Sequence, residues 1–334
     1  MALLVEESWS RFHGYQCIQT TCGTLRWQIP YSRKQAQEAM AAVVLCEPSQ
    51  LYNILNQRVR VPRIAECNYL CLIDARTEGQ YNSGHIITAK HAKWDSGGNF
   101  VLPLNVEVEG MRYIIVYDGD SSSLSGSGPA HKCIETLAKS SLYPVHLLSR
   151  GYECFSGLYP FFRAQDVLYT IKELESLTIY PVEILPGQLY MGDYKQATTD
   201  FIIKDLNVSA FVNVADQDSI LFEKGHRTIL DIRVADSTQA NLYSSLEKIS
   251  IFVGLRLKAG TTVMIFSSHG ISRCSAVAIA VLIGHLKYSL KEAWDHVLQC
   301  KTNMRPNRAF VQQLSDWELQ SLGQRITDIS EPNY

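Results

Sequence analysis

Val263-Met-Ile-Phe-Ser-Ser-His-Gly-Ile-Ser-Arg273 decides how this chain is read. Thr261 to Phe266 is a short apolar run rich in β-branched residues, which predicts a buried strand. Ser267 to Ser272 is small and polar around Gly270, and predicts a tight loop. Cys274 to Leu286 is apolar on nearly every face and reads as a buried helix, with Arg273 in its first turn. A loop entering a helix in this way aims successive backbone N–H groups at one point and adds the positive end of the helix dipole. The stretch has the layout of a phosphate cradle. Its candidate binding residues are Ser268, His269, Gly270, Ile271, Ser272 and Arg273. The planar guanidinium of Arg273 suits two phosphate oxygens at once.

The spacing resembles the His-Cys-x5-Arg signature of cysteine-dependent protein phosphatases, in their dual-specificity branch. In that family the Cys thiolate attacks phosphorus while the loop amides and the Arg hold the phosphoryl oxygens. Gly270, Ser272 and Arg273 keep the pattern. Phe266 stands where the resemblance puts the His, and Ser267 where it puts the Cys. A thiol with a pKa of roughly 8.5 is readily ionised by a positive loop, whereas a serine hydroxyl is a far weaker acid. A serine nucleophile needs a base. His269 is the local candidate and is expected to point outward. The expectation is a catalytically inactive pseudophosphatase with a degenerate nucleophile, Ser267. The alternative is a weakly active phosphatase using Ser267. Asp236, in Asp236-Ser-Thr-Gln-Ala-Asn-Leu242, matches the family's general acid. Without a nucleophile it is read as vestigial, a carboxylate capping local amides of its own loop. Leu189-Tyr-Met-Gly192, Asn213-Val214, Ala278-Ile-Ala-Val-Leu282 and Arg305-Pro-Asn-Arg-Ala-Phe310 extend the resemblance. It implies a dual-specificity phosphatase-like α/β domain over residues 181–325.

Upstream, Tyr69 to Asp74, Arg112 to Asp118 and Val145 to Leu148 read as buried strands. They alternate with predicted helices at Ser49 to Gln57 and Ala130 to Ser140, and a glycine-bounded turn spans Gly151 to Gly157. Such alternation implies a parallel sheet with helices on both faces. Asp74, Arg76, Tyr81, Gly84, His85 and Ile86, with Gly151-Tyr, Phe155 and Gly157, resemble the rhodanese-like domain. The resemblance implies a three-layer α/β domain over residues 45–165. An active rhodanese carries a nucleophilic Cys just after the second of these strands. Asp118 takes that place, Gly119 to Pro129 holds no thiol, and Cys133 lies too far along. Arg76 and His85 are therefore read as structural. The same domain docks the kinase in MAP-kinase phosphatases through a basic cluster. Here the matching charges are Lys90, His91 and Lys93, with Arg58, Arg60 and Arg63 upstream, and they lack that family's adjacent Arg–Arg pair. Kinase docking is a secondary expectation.

Residues 166–180 read as a linker with a helix ending before Pro181, and residues 326–334 as a tail. Residues 1–44 read as an extension, with helix formers from Ser32 to Leu45. Arg11, Arg26, Arg33 and Lys34 suit a mitochondrial presequence, while Glu6, Glu7 and Glu38 oppose it. The cytoplasm is the expected compartment and the mitochondrion the alternative. A length of 334 residues fits two domains. A net charge of −2 gives no reason to expect nucleic acid or an anionic membrane as partner. No apolar run reaches the roughly 18 residues needed to span a bilayer. The nine cysteines are irregularly spaced, odd in number and follow no secretory signal, which fits free thiols. Cys67 and Cys71 are read as core residues, since no second pair completes a metal site. Neither a metal nor a cofactor is expected.

The order of the two domains, Phe266-Ser-x-x-Gly-Ile-Ser-Arg273 and Asn303-Met-x-Pro-Asn-Arg308 resemble the serine/threonine/tyrosine-interacting pseudophosphatases. That resemblance implies an inactive regulator working through protein contacts. Phosphorylated proteins, active phosphatases or RNA-granule proteins are the implied partners. A docking adapter acting through its rhodanese-like domain is the alternative.

Overall fold

A computed structural model describes residues 41–103, 106–215, 227–330 and 334, together with the antiparallel strands Gln16–Gln19 and Leu25–Gln28. Apart from Arg26, which falls in the strand Leu25–Gln28, the presequence charges lie outside the described residues, as does most of the helix expected from Ser32. The end of that expected helix is instead a strand, Val43–Cys46. Its β-branched pair Val43-Val44 suits the parallel partner it finds in Val145–Leu148.

The chain divides into two compact units. One comprises Met1–Pro48 and Glu66–Tyr169, the other Ser49–Ala65 and Thr170–Tyr334. The first is built on a sheet in which Val43–Cys46, Val145–Leu148, Tyr113–Tyr117, Leu70–Asp74 and Lys90–His91 are neighbours in that order. Every pairing is parallel. Buried on both faces, the central strands are apolar along their length, and Ile73, Ile114, Val116 and Leu147 pack with Ile134 and Leu137 from the helix Pro129–Ala138.

Gly151 to Gly157 is not a turn but the helix Gly151–Leu158. Its first glycine serves close approach. A Cβ on Gly151 would lie 2.5 Å from the carbonyl oxygen of Asp118, and its φ is +53°. The helix's first amides use that proximity: Tyr152 N–H donates to Asp118 O at 2.8 Å and Glu153 N–H to Gly119 O at 3.0 Å.

In the second unit the sheet order is Val182–Leu185, Leu189–Asp193, Thr262–Ser267, Val208–Asn213, Thr228–Asp231. Only the first pair is antiparallel. The central strand Thr262–Ser267 feeds the helix Arg273–Val281, all of whose residues are buried. Tyr243–Lys258, Leu290–Cys300 and Arg308–Leu322 complete the helical layers. The pattern of Arg273–Val281 is apolar on nearly every face because that helix is enclosed on all sides. Ser267 thus sits at the carboxyl end of the middle strand, the usual place for a ligand on an open α/β sheet.

The expected boundary of 45–165 placed the helix at Ser49 to Gln57 in the N-terminal domain. The helix is Pro48–Leu55, and Ser49–Ala65 belongs to the second unit. Buried Tyr52, Asn53 and Gln57 bond there to the backbone of Pro181, Glu183 and Cys300. The short helix Ile171–Glu175 of the expected linker is in that unit too.

Candidate functional site

The loop Ser267–Ser272 closes as its composition predicts. Gly270 takes φ +70°, and a Cβ there would stand 3.0 Å from the backbone of Gly192 and Asp193. Only glycine combines that conformation with that proximity at low cost. The turn lets Gly270 N–H donate to Ser267 Oγ at 3.2 Å. Ser275 Oγ donates to Ile271 O at 2.7 Å and fastens the loop to the helix.

Arg273 is buried. Its Nη1 donates to Val234 O at 2.9 Å and its Nη2 to Ser268 Oγ at 2.9 Å. The second bond carries the guanidinium back to Ser268 at the beginning of the loop.

Phe266 is fully buried among aromatic rings, with Tyr194 at 6.2 Å and Phe211 at 6.3 Å between centroids. His269 is exposed, as expected of a side chain pointing outward, and no bond joins it to Ser267 among the described residues. Behind the loop, Cys274 touches Ser267 through its side chain, and Lys301 stands near enough to act on it. Burial pushes the Cys274 thiol up, outweighing the opposing pull of Ser267 and Lys301. The sulfur nearest the loop is therefore a neutral thiol, poor as a nucleophile.

Asp236 does not cap amides of its own loop. Its Oδ1 accepts from Ser272 Oγ at 2.7 Å and from Asn307 Nδ2 at 2.8 Å. Asn307 also donates its backbone N–H to Ser272 Oγ at 3.3 Å, and its side chain caps the helix Arg308–Leu322. A carboxylate, a hydroxyl and an amide thus join three segments far apart in sequence. Sequence reasoning passed over Asn307 as a site residue, although Arg305-Pro-Asn-Arg-Ala-Phe310 had been noticed as a motif.

In the first unit the motif residues assemble as structure. Arg76 Nη2 donates to Asp74 Oδ2 at 2.6 Å and to Gly84 O at 2.7 Å, and its guanidinium lies 3.6 Å from the Tyr152 ring centroid. His85 stacks on Tyr81 with ring centroids 4.1 Å apart. The Asp118 carboxylate folds over Ser121, accepting its N–H at 2.9 Å and its hydroxyl at 2.6 Å. Cys133 is buried in the helix Pro129–Ala138, where desolvation pushes its thiol up to about 12. Cys67 is exposed rather than in the core, while Cys71 is buried and pushed up to about 11. Among the described residues no cluster could hold a metal ion, and no helix is long and apolar enough to cross a membrane. Of the basic residues considered for kinase docking, Lys90 and Lys93 are exposed, but Arg58 is ion-paired with Asp193.

Residues 189–320 match the family described as dual specificity phosphatase, catalytic domain, and residues 52–157 match the rhodanese-like domain. The chain therefore carries a rhodanese-like domain followed by a dual-specificity-phosphatase-type domain. The rhodanese-like match begins inside the segment that packs in the second unit.

Among individual proteins, the chain is similar to human dual specificity protein phosphatase 1, at 27% identity over 300 residues. That match covers 78% of this chain and 80% of the relative. Dual specificity protein phosphatase 1-A of Xenopus laevis is 32% identical over 142 residues, 42% of this chain and 38% of that protein. Among solved structures, human DUSP28 matches at 26% identity with a TM-score of 0.41, covering 44% of this chain and 98% of that one. The human tyrosine phosphatase-like serine/threonine/tyrosine-interacting protein matches at 24% identity with a TM-score of 0.39, covering 42% and 96%.

Proposed function

We propose that the chain is a catalytically inactive pseudophosphatase of the serine/threonine/tyrosine-interacting kind, which regulates signalling by holding phosphorylated proteins. The observation that carries this is the oxygen at position 267. Ser267 Oγ is the atom that the Gly270 amide serves, and a hydroxyl there stays protonated near neutral pH. His269, the one base considered for it, is exposed. The rest of the cradle supports binding without turnover. Three features support this reading: the Gly270 amide faces position 267, the loop leads straight into the helix Arg273–Val281, and the Arg273 guanidinium reaches Ser268.

The test is a phosphotyrosine peptide titrated into the purified chain while free phosphate is measured. The peptide should bind and remain intact. Arg273→Ala should weaken it about tenfold or more, the ~1.5–3 kcal/mol of a charge-assisted hydrogen bond. Arg273→Lys should fall between the two, and circular dichroism checks that both variants fold. No difference between phosphorylated and unphosphorylated peptide would refute phosphate holding.

A further inference from the structure

We infer that Ser49–Ala65 is a working part of the phosphate-loop unit, and that Arg58 on this segment positions the loop through Asp193. The segment's attachment is made by side chains that serve main-chain groups. Asn53 acts as a surrogate strand on the edge strand Val182–Leu185: its Nδ2 donates to Glu183 O at 2.8 Å and its Oδ1 accepts from Glu183 N–H at 2.7 Å. Asn56 Oδ1 accepts from Tyr180 N–H at 2.7 Å, and Tyr52 OH donates to Pro181 O at 2.8 Å. Gln57 donates to Cys300 O at 2.9 Å and accepts from Thr302 N–H at 3.0 Å, beside the end of the helix Leu290–Cys300. Buried peptide groups left without these partners would be costly, so the segment is fixed rather than draped.

The fixed segment delivers Arg58 to the rear of the loop. Asn303 Nδ2 donates to the Arg58 carbonyl at 3.0 Å, and the Arg58 guanidinium pairs with the Asp193 carboxylate. Asp193 ends the strand Leu189–Asp193 directly opposite Ser267 in the sheet register. Its peptide is the surface on which Gly270 rests. Its other carboxylate oxygen accepts from Gln196 N–H at 2.8 Å, so the residue is held from two sides. Contacts thus run from Arg58 to Asp193, to Gly270, and to the oxygen at 267. Arg58 also acts electrostatically on Lys301, which is buried close to Cys274. Arg58 is accordingly a positioning residue for the loop, and its use as an exposed kinase-docking charge would break this arrangement.

Hydrogen exchange on the full chain tests the inference without any ligand. Arg58→Ala should speed exchange of the 267–273 amides about fivefold, as expected for loss of one partly buried ion pair. Arg58→Lys should restore part of the protection, while Arg60→Ala, an exposed neighbour, should leave it unchanged. Strand 113–117 in the other unit serves as internal reference. Unaltered exchange in Arg58→Ala, or an equal effect from Arg60→Ala, overturns the inference. A second arm rests on the proposed phosphate holding: tungstate should bind Arg58→Ala more weakly than the unaltered chain. If tungstate binds neither protein, phosphate holding fails while the exchange result still decides the role of Arg58.

Discussion

The backbone N–H of Gly270 points at the hydroxyl oxygen of Ser267 across 3.2 Å. In a site of this design that amide lowers the energy of negative charge at the atom it faces. A thiol in that place would ionise, whereas a hydroxyl merely accepts the hydrogen bond. On the proposed reading, fold and chemistry separate at this contact: the amide direction is a property of the loop, and the weak acidity at 267 a property of one element.

Restoring the sulfur should therefore restore turnover. Phe266→His with Ser267→Cys is expected to release phosphate from an aryl phosphate measurably faster than the unaltered chain, and Ser267→Cys alone less so. General acid–base assistance is worth roughly 100-fold or more where its geometry survives. Asp236, bonded to Ser272 and Asn307, must leave those partners to supply it. The assay needs a reductant, because Cys274 lies against position 267. A folded double variant with no activity would contradict the view that the sulfur is all this loop needs for turnover.

Asn53→Ala should destabilise the second unit by roughly 2–4 kcal/mol, since it leaves the buried N–H and C=O of Glu183 without partners. Chemical denaturation followed by hydrogen exchange would place the loss in that unit. Destabilisation confined to the 66–169 unit would contradict the packing of this segment.

Lys301→Met should raise thermal stability near neutral pH. Burial, with Arg58 adding to it, lowers the pKa of the Lys301 ammonium in the folded protein. The unfolded chain then binds more protons, so the unaltered protein gains stability as pH rises through the folded pKa towards the ordinary lysine value. The methionine variant lacks this dependence. Its advantage should be largest below the folded pKa and shrink as pH climbs. A melting-temperature difference that stays constant from neutral to alkaline pH would contradict this sign.

Much of the site was legible because its signals are local. A β-branched run and a glycine-centred loop predict Thr262–Ser267 and the start of the next helix almost to the residue; the apolar run to Leu286 continues past Arg273–Val281 as the π-helical turn Leu282–Leu286. Arg76, read as structural, bonds to Asp74 and Gly84 of the same motif. What escaped was which body an element packs against. Pro48 and the residues after it announce a helix, yet nothing in their periodicity says that Asn53 faces a strand, and Gln57 the end of a helix, more than a hundred positions away. Gly151 misled for a related reason: glycine disfavours helix locally, and only the press of the Asp118 carbonyl explains its presence. The partners of Asp236 were equally invisible, since Ser272 and Asn307 reach it only after folding.

Release of inorganic phosphate by pure, full-length chain, compared with Ser267→Ala, tests the central claim most directly. Both proteins should match the buffer blank under reducing conditions across neutral pH. Turnover by the unaltered chain that disappears in Ser267→Ala would contradict it.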